Sequence, residues 1–245
     1  MIPHALSGLT FIERFYSFPT LSSTNDTARS LKHRPEKGMF CIQADSQTAG
    51  KGRRGGSFFS KSPHGLWVSL VAPLNDHHFV YNRAISLAIA MTLEQCGSQH
   101  PVSIKWPNDI YWGKKKACGI LLENHSSFQD VIIIGFGINV NTGEEEFPPE
   151  LRPIATSILI ETGKKCSLSA LLRTILKQFS AIVSSDQNSV HALYCERLYG
   201  KGETIGINGL KGVFSSVEPD GRLKLINNGI PVMIYSGSPV FLEKQ

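Results

Sequence analysis

The sequence predicts an α/β or α+β domain to about residue 200, followed by a small all-β barrel. Three observations lead there. Strand-like and helix-spaced segments are mixed up to residue 200, and one strongly amphipathic helix lies near the end of that region. Beyond it, Asn208-Gly209, Asp220-Gly221 and Asn228-Gly229 recur at intervals of roughly ten residues, the spacing of hairpin turns in a small barrel. With 245 residues, 41% hydrophobic and 18% charged, the chain can build one good-sized core plus a small appendage.

Taken in order, residues 11–18 are a strand-like lead-in that ends at Pro19. Ser22-Ser23-Thr24-Asn25 has the chemistry of a helix N-cap ahead of a helix-permissive stretch at 26–31. Residues 39–44 form a short apolar strand, 50–56 a glycine-rich basic loop, and 66–71 another strand. Apolar residues at helical spacing (Val80, Ala84, Leu87, Ala88, Met91) mark a helix over 79–96. A run of strands follows at 102–106, 110–112, 117–123 and 131–138. Ser167 opens the clearest helix, with Leu168, Leu171, Leu172, Ile175, Leu176, Phe179 and Ile182 on one stripe, and a second helical stretch covers 189–198 before Gly200. Short strands at 223–226 and 232–235 lie between the turns of the terminal region.

Composition narrows the function classes. No apolar stretch approaches the ~20 residues a membrane helix needs, and the N-terminus has no basic segment followed by an apolar core, so a cytoplasmic protein is expected. The five cysteines are odd in number and widely spaced, which suggests neither a disulfide framework nor a zinc site. A net charge of +5 is compatible with nucleic acid or with nucleotide phosphates, so the position of the charge decides.

Much of that charge sits in Gly50-Lys51-Gly52-Arg53-Arg54-Gly55. The segment matches G-x-G-x-x-G, yet the residues after it contain Pro63 and glycine breaks instead of a helix, so a dinucleotide fold does not fit. A P-loop also fails, because Gly52 follows Lys51 where Ser or Thr is required. What remains is physical: glycines bring backbone N–H groups close to an anion, and three cations in four residues neutralise phosphate. Such a loop repels itself when empty and should move until an anion gathers it. A solvated basic turn is the plainer alternative. Lys105-Trp106-Pro107-Asn108-Asp109 adds a cation and a possible magnesium ligand across a tight turn. Lys114-Lys115-Lys116 reads by itself as a solvated hairpin tip. Gly135-Phe136-Gly137-Ile138-Asn139 is a strand whose glycines let something approach the backbone.

These segments, together with Gln47-Thr48-Ala49 before the loop and Ala117-Cys118-Gly119-Ile120-Leu121-Leu122-Glu123, stand in the order seen in biotin–protein ligases, and the chain resembles that family over nearly its whole length. The resemblance implies an α+β catalytic domain over 1–200 of the class II aminoacyl-tRNA-synthetase-like, biotin–lipoate ligase type, with a mixed sheet and flanking helices, and an SH3-like β-barrel over 201–245. It implies biotin binding by Ser23, Thr24, Asn25, Gln47, Gly50, Lys51, Gly52, Arg53, Lys105 and Gly135. It assigns ATP or adenylate to Lys51, Arg53, Arg54, Asn108, Asp109, Lys116 and Asn139, with Lys105 and Arg53 catalytic and Asp109 a ligand to Mg2+. Lys105→Ala is then expected to abolish adenylate formation. Substrates would be ATP and biotin, with no tightly bound prosthetic group. The partner would be the biotin carboxyl carrier protein or domain of acetyl-CoA carboxylase, and the enzyme a monomer or homodimer.

Two departures from the family pattern stand out. Lys51 replaces an arginine and loses its bidentate hydrogen bonding, and Phe136 is bulkier than the small residue expected. The pocket motif begins by residue 22, which leaves no room for a helix-turn-helix domain, so no DNA binding is expected. A lipoate–protein ligase is the nearest rival, disfavoured by the basic loop and the Lys-Trp-Pro-Asn-Asp run. A nucleic-acid-binding module would spread its cations over a broader face than one loop.

Overall fold

The computed structural model describes residues 6–74, 78–97, 100–125 and 127–242. Its first part is a seven-stranded sheet in the order β1-β2-β3-β7-β6-β5-β4. These strands are β1 (Ile12–Leu21), β2 (Met39–Gln47), β3 (Gly65–Pro73), β4 (Val102–Lys105), β5 (Asp109–Trp112), β6 (Lys115–Asn124) and β7 (Val131–Asn139). Only β1 and β2 pair in parallel and every other neighbour is antiparallel, so the domain is α+β with a mixed sheet. The strand expected to stop at Pro19 continues to Leu21. Residues 18 and 20 pair with β2 and the proline between them does not, which an edge strand allows because it has a ladder on one side only.

The alternation of side chains divides the sheet into two faces. On one face Leu66, Val68, Leu70, Ile132, Ile134, Phe136 and Ile138 join the main core. That core is covered by α2 (His78–Gln95), α4 (Leu168–Val183) and α5 (Gln187–Glu196). The stripe read from the sequence faces inward: Leu171, Leu172, Ile175, Leu176, Phe179 and Ile182 are all buried. Ser167 caps α4 by accepting from the Ala170 N–H, and Asp186 caps α5 by accepting from the Ser189 N–H. The opposite face carries a smaller core of Ala28, Phe40, Ile42, Val71 and Ile133 under α1 (Thr24–Ser30), and beside it the glycines of β6 and β7. One further short helix, α3 (Ile158–Thr162), had no sequence signal strong enough to read, being barely more than one turn.

The terminal part is an antiparallel sheet of five strands: β8 (Thr204–Ile207), β9 (Leu210–Val217), β10 (Leu223–Asn227), β11 (Ile230–Ile234) and β12 (Val240–Phe241). Asn208 and Asn228 take positive φ at 49° and 48° ahead of Gly209 and Gly229, which is the two-residue turn their sequence demands. Among the described residues these strands pair in the order β11-β10-β9-β8-β12. Trp106, 2% exposed, donates its Nε1 proton to Gly221 O and ties this sheet to the larger one. No helix among the described residues is long and apolar enough to cross a membrane.

Candidate active site

A cavity of about 250 Å³ opens on the glycine face of the large sheet. Its floor follows from strand pairing, since Gly119 of β6 lies opposite Gly137 of β7, and Leu121 opposite Gly135. At the three glycines the backbone itself is the floor, and the Phe58 ring lies over two of them: a Cβ on Gly137 or Gly119 would stand 2.7 or 2.8 Å from that ring. Phe136 points to the other face and packs in the main core, so its bulk does not constrict the cavity.

One end is polar and buried. Ser23, Thr24 and Asn25, at the start of α1, are 2–4% exposed, Gln47 at the end of β2 is 8%, Ser60 1% and Ser69 of β3 0%. Groups so buried need partners, and they supply them to one another. The Thr24 backbone N–H and hydroxyl both donate to Gln47 Oε1, at 2.7 and 3.1 Å. Gln47 Nε2 donates to Ser60 Oγ, and Ser69 Oγ donates to Asn25 Oδ1 at 2.5 Å while lying 2.8 Å from Thr24 Oγ1. Ser23 stands at the N-cap position, as the tetrad predicts, but its hydroxyl makes no capping bond and lines the cavity instead.

The other end is cationic. Lys51, Arg53 and Lys116 line it, with Asn108 and Asp109 from the turn between β4 and β5. Lys51 Nζ sits 2.5 Å from Asp26 Oδ1. Lys116 Nζ is 2.6 Å from Asp109 Oδ1, close enough for an ion pair though not aligned as a hydrogen bond, and 5.5 Å from the centre of the Phe58 ring. Arg53 meets neutral oxygens: its Nη1 donates to Gly237 O at 3.1 Å and Asn108 Oδ1 at 3.4 Å. Burial, and then Arg54, lower the Arg53 pKa, partly opposed by Asp109, yet a guanidinium starts so high that it keeps its charge. The basic loop is folded over the cavity. Gly52 N–H donates to Gly56 O, and Gly56 N–H to Arg53 O.

Not every residue singled out from the sequence meets here. Lys105 shares the glycine face of the sheet, opposite Asp109, but on the outermost strand. Its ammonium donates to Tyr111 Oη at 3.0 Å and lies over the Tyr111 and Phe241 rings, so it is spent on packing the small sheet and does not line the cavity. The lysines that line the cavity are Lys51 of the basic loop and Lys116, the latter from the segment read first as a solvated hairpin tip. Arg54, at φ 53°, points its guanidinium to Ser236 of the small sheet. Asn139 donates to Thr156 O and works as a strut behind the site. Gly50 is beside the cavity, where a Cβ would fall 2.2 Å from Ser60 Oγ, so it lets the two limbs of the loop meet. Gly52 lines the cavity together with Gly135.

Four participants were missed, among them Ser60, which accepts from Gln47. Ser69 is a lone hydroxyl in an apolar strand, and that oddity was its only signal. Phe58 follows the basic loop by three residues, and nothing in the sequence says that its ring turns inward. Ser238 reaches the cavity from the small sheet, which no local pattern could indicate.

Residues 17–139 match the family model described as Biotin/lipoate A/B protein ligase family. The Bifunctional ligase/repressor BirA of Bacillus subtilis (strain 168) is 32% identical over 230 residues, which are 88% of this chain and 70% of that protein. A Biotin–[acetyl-CoA-carboxylase] ligase of Mycobacterium tuberculosis is 25% identical over 214 residues, 82% of this chain and 78% of that one. Among solved structures, biotin protein ligase from Aquifex aeolicus in complex with biotin and ATP superimposes with a TM-score of 0.82, covering 95% of this chain and 100% of that chain, at 24% identity. At that identity the likeness is one of fold.

Proposed function

Because the chain belongs to the biotin/lipoate A/B protein ligase family, we propose that it is a biotin–protein ligase: it joins biotin to AMP as biotinyl-5′-AMP and passes the biotinyl group to a lysine of a biotin carboxyl carrier domain of acetyl-CoA carboxylase. One observation carries this reading. A single cavity has a buried end of amides and hydroxyls and an opposite end of three cations. A cyclic urea exchanges hydrogen bonds with the first and a carboxylate beside a phosphate suits the second. The dithiolane of lipoate has no N–H or C=O to offer, and a site built of hydrogen-bonding groups rejects a ligand that leaves them unpaired.

In the first step the biotin carboxylate attacks the α-phosphorus of ATP. The new C–O–P link forms, the bond to the bridging oxygen breaks, and pyrophosphate leaves. Both reactants are anions, so the work is charge neutralisation and alignment. Lys116 is placed to bridge the carboxylate and the α-phosphate, and Arg53 and Lys51 cover them from the loop. Lys51 and Lys116 pair with Asp26 and Asp109, and substrate anions would compete for the two ammonium groups. In the second step the neutral amine of the carrier lysine attacks the acyl carbon and AMP leaves.

The described residues hold no trio of acidic, histidine or cysteine side chains that could cage a metal, and Asp109 is the one carboxylate among the lining residues. That fits Mg2+ arriving on the triphosphate, since this ion binds through one or two carboxylates plus phosphate oxygens. Asp109 would hold it, and it would offset phosphate charge. The five free thiols suit a reducing compartment, and the proposed place of action is the cytoplasm.

Mass spectrometry of the pure protein incubated with biotin, ATP and magnesium should show bound biotinyl-5′-AMP and released pyrophosphate, and lipoate should not replace biotin. A protein that makes neither product would end this reading. Arg53 is assigned retention of the intermediate, because its guanidinium pins the loop to Gly237 across the cavity mouth. Arg53→Gly should raise the off-rate of the adenylate at least about tenfold, the value of one hydrogen bond to a charged group, and should biotinylate bystander lysines; stopped-flow dissociation and labelling of an unrelated protein would read both.

A further inference from the structure

Asn25 is the one amide of the polar end whose donors are both consumed by the protein. Its Nδ2 donates to Glu123 Oε2 at 2.8 Å and to Leu121 O at 3.4 Å. Its Oδ1 takes one bond, from Ser69, and a carbonyl oxygen has two lone pairs. What Asn25 can still offer a ligand is therefore acceptor capacity. The orientation that produces this could be inverted, since an amide turned by 180° would point N–H at Ser69 and at the cavity, and serine oxygen accepts as readily as it donates.

Glu123 prevents the inversion. It lies on β6 two residues beyond Leu121 and four beyond Gly119, which puts it on the cavity face of the sheet. An ionised carboxylate accepts only, so it can face the Asn25 NH2 and not its oxygen. Its other oxygen, Oε1, is in an ion pair with Arg29 of α1, Arg29 also holds Asp26 at 2.9 Å, and Asp26 holds Lys51. The arginine holds the carboxylate in place, and the same chain of charges runs from the polar end to the cationic loop.

We propose that Glu123 is a specificity-determining positioning residue: through Asn25 it makes the polar end an acceptor, and so selects a ligand whose ring presents N–H. The proposal rests on the reading of the site as a biotin pocket, in which that ring is the cyclic urea. Glu123 touches neither substrate and acts only by holding Asn25.

The test is biotin-dependent exchange of pyrophosphate into ATP by the full chain and by Glu123→Gln, which keeps the shape but adds a donor and discards the charge. The expected result is a KM for biotin raised about tenfold, with kcat and the KM for ATP within about twofold of the parent. Arg29→Ala, which frees the carboxylate without touching Asn25, should move the biotin KM the same way by a smaller factor, and it serves as the measurement should the first variant fail to fold. An unchanged biotin KM in whichever of the two variants is folded would overturn the assignment, as would a fall in kcat at constant KM. A parent protein without biotin-dependent exchange would overturn the biotin reading and this proposal with it, whereas an active parent and an unaffected variant would overturn the role of Glu123 alone.

Discussion

Lys116→Ala is expected to lower biotinyl-adenylate formation by about 10²- to 10³-fold, the loss that follows removal of one preorganised charge donor at a reacting oxyanion. The protein should remain folded. Lys116 and Asp109 are each part-exposed, and such a pair contributes about 0–1 kcal/mol. The strand register around residue 116 is held by backbone bonds, from its N–H to Ile154 O and from Thr156 N–H to its carbonyl, which alanine keeps. Lys105→Ala should behave in the opposite way, with adenylation reduced less than about tenfold and stability lowered by about 1 kcal/mol through the lost Tyr111 and Phe241 contacts. Single-turnover pyrophosphate release and thermal unfolding of the two variants would separate them. The assignment to Lys116 is wrong if the ranking is reversed.

The same pair of lysines shows where sequence reasoning reaches its limit. Both lie on a strand beside other motif residues, Lys105 as a lone cation and Lys116 in a run of three. Which one lines the cavity depends on strand order, because β4 is outermost and β6 sits next to the glycine strand. Pairing order is a long-range property with no local trace. Where a period or a turn type determines the outcome, the reading held: the α4 stripe is buried and the Asn-Gly turns take positive φ. The departure at Phe136 follows the same period of two, since Gly135 and Gly137 face the cavity and the side chain between them packs in the main core. The polar end was half legible. Ser23, Thr24, Asn25 and Gln47 lie in short motifs, but Ser69, which bonds Thr24 and Asn25, is one hydroxyl in an apolar strand. The mouth was not legible at all on its far side, because Gly237 and Ser238 arrive from a separate sheet folded against the first. The acceptors that Arg53 of the basic loop meets, Gly237 O and Asn108 Oδ1, likewise come from elsewhere in the chain and leave no local trace.

Gly135→Ala is expected to reduce kcat/KM for biotin by at least about 100-fold, equivalent to about 2.7 kcal/mol. The added methyl would fall 2.1 Å from Asn25 Oδ1, 2.8 Å from its Cγ and 2.9 Å from its Nδ2, closer than nonbonded atoms approach. Asn25 cannot turn aside cheaply, since Ser69, Glu123 and the Leu121 carbonyl hold it from three directions. Either the amide leaves its partners, stranding buried polar groups, or β7 shifts in the middle of the sheet, and overpacking of this kind costs about 1–3 kcal/mol of stability. Gly137→Ala supplies the contrast on the same strand and the same face. Its methyl would meet the edge of the Phe58 ring at 2.7 Å, and a ring at the end of a side chain can swing where a triply bonded amide cannot. The second substitution should therefore cost stability without the same loss of biotin recognition. Equal losses of kcat/KM in the two variants would mean that floor area alone, and not the held orientation of Asn25, is what the pocket uses to recognise its ligand.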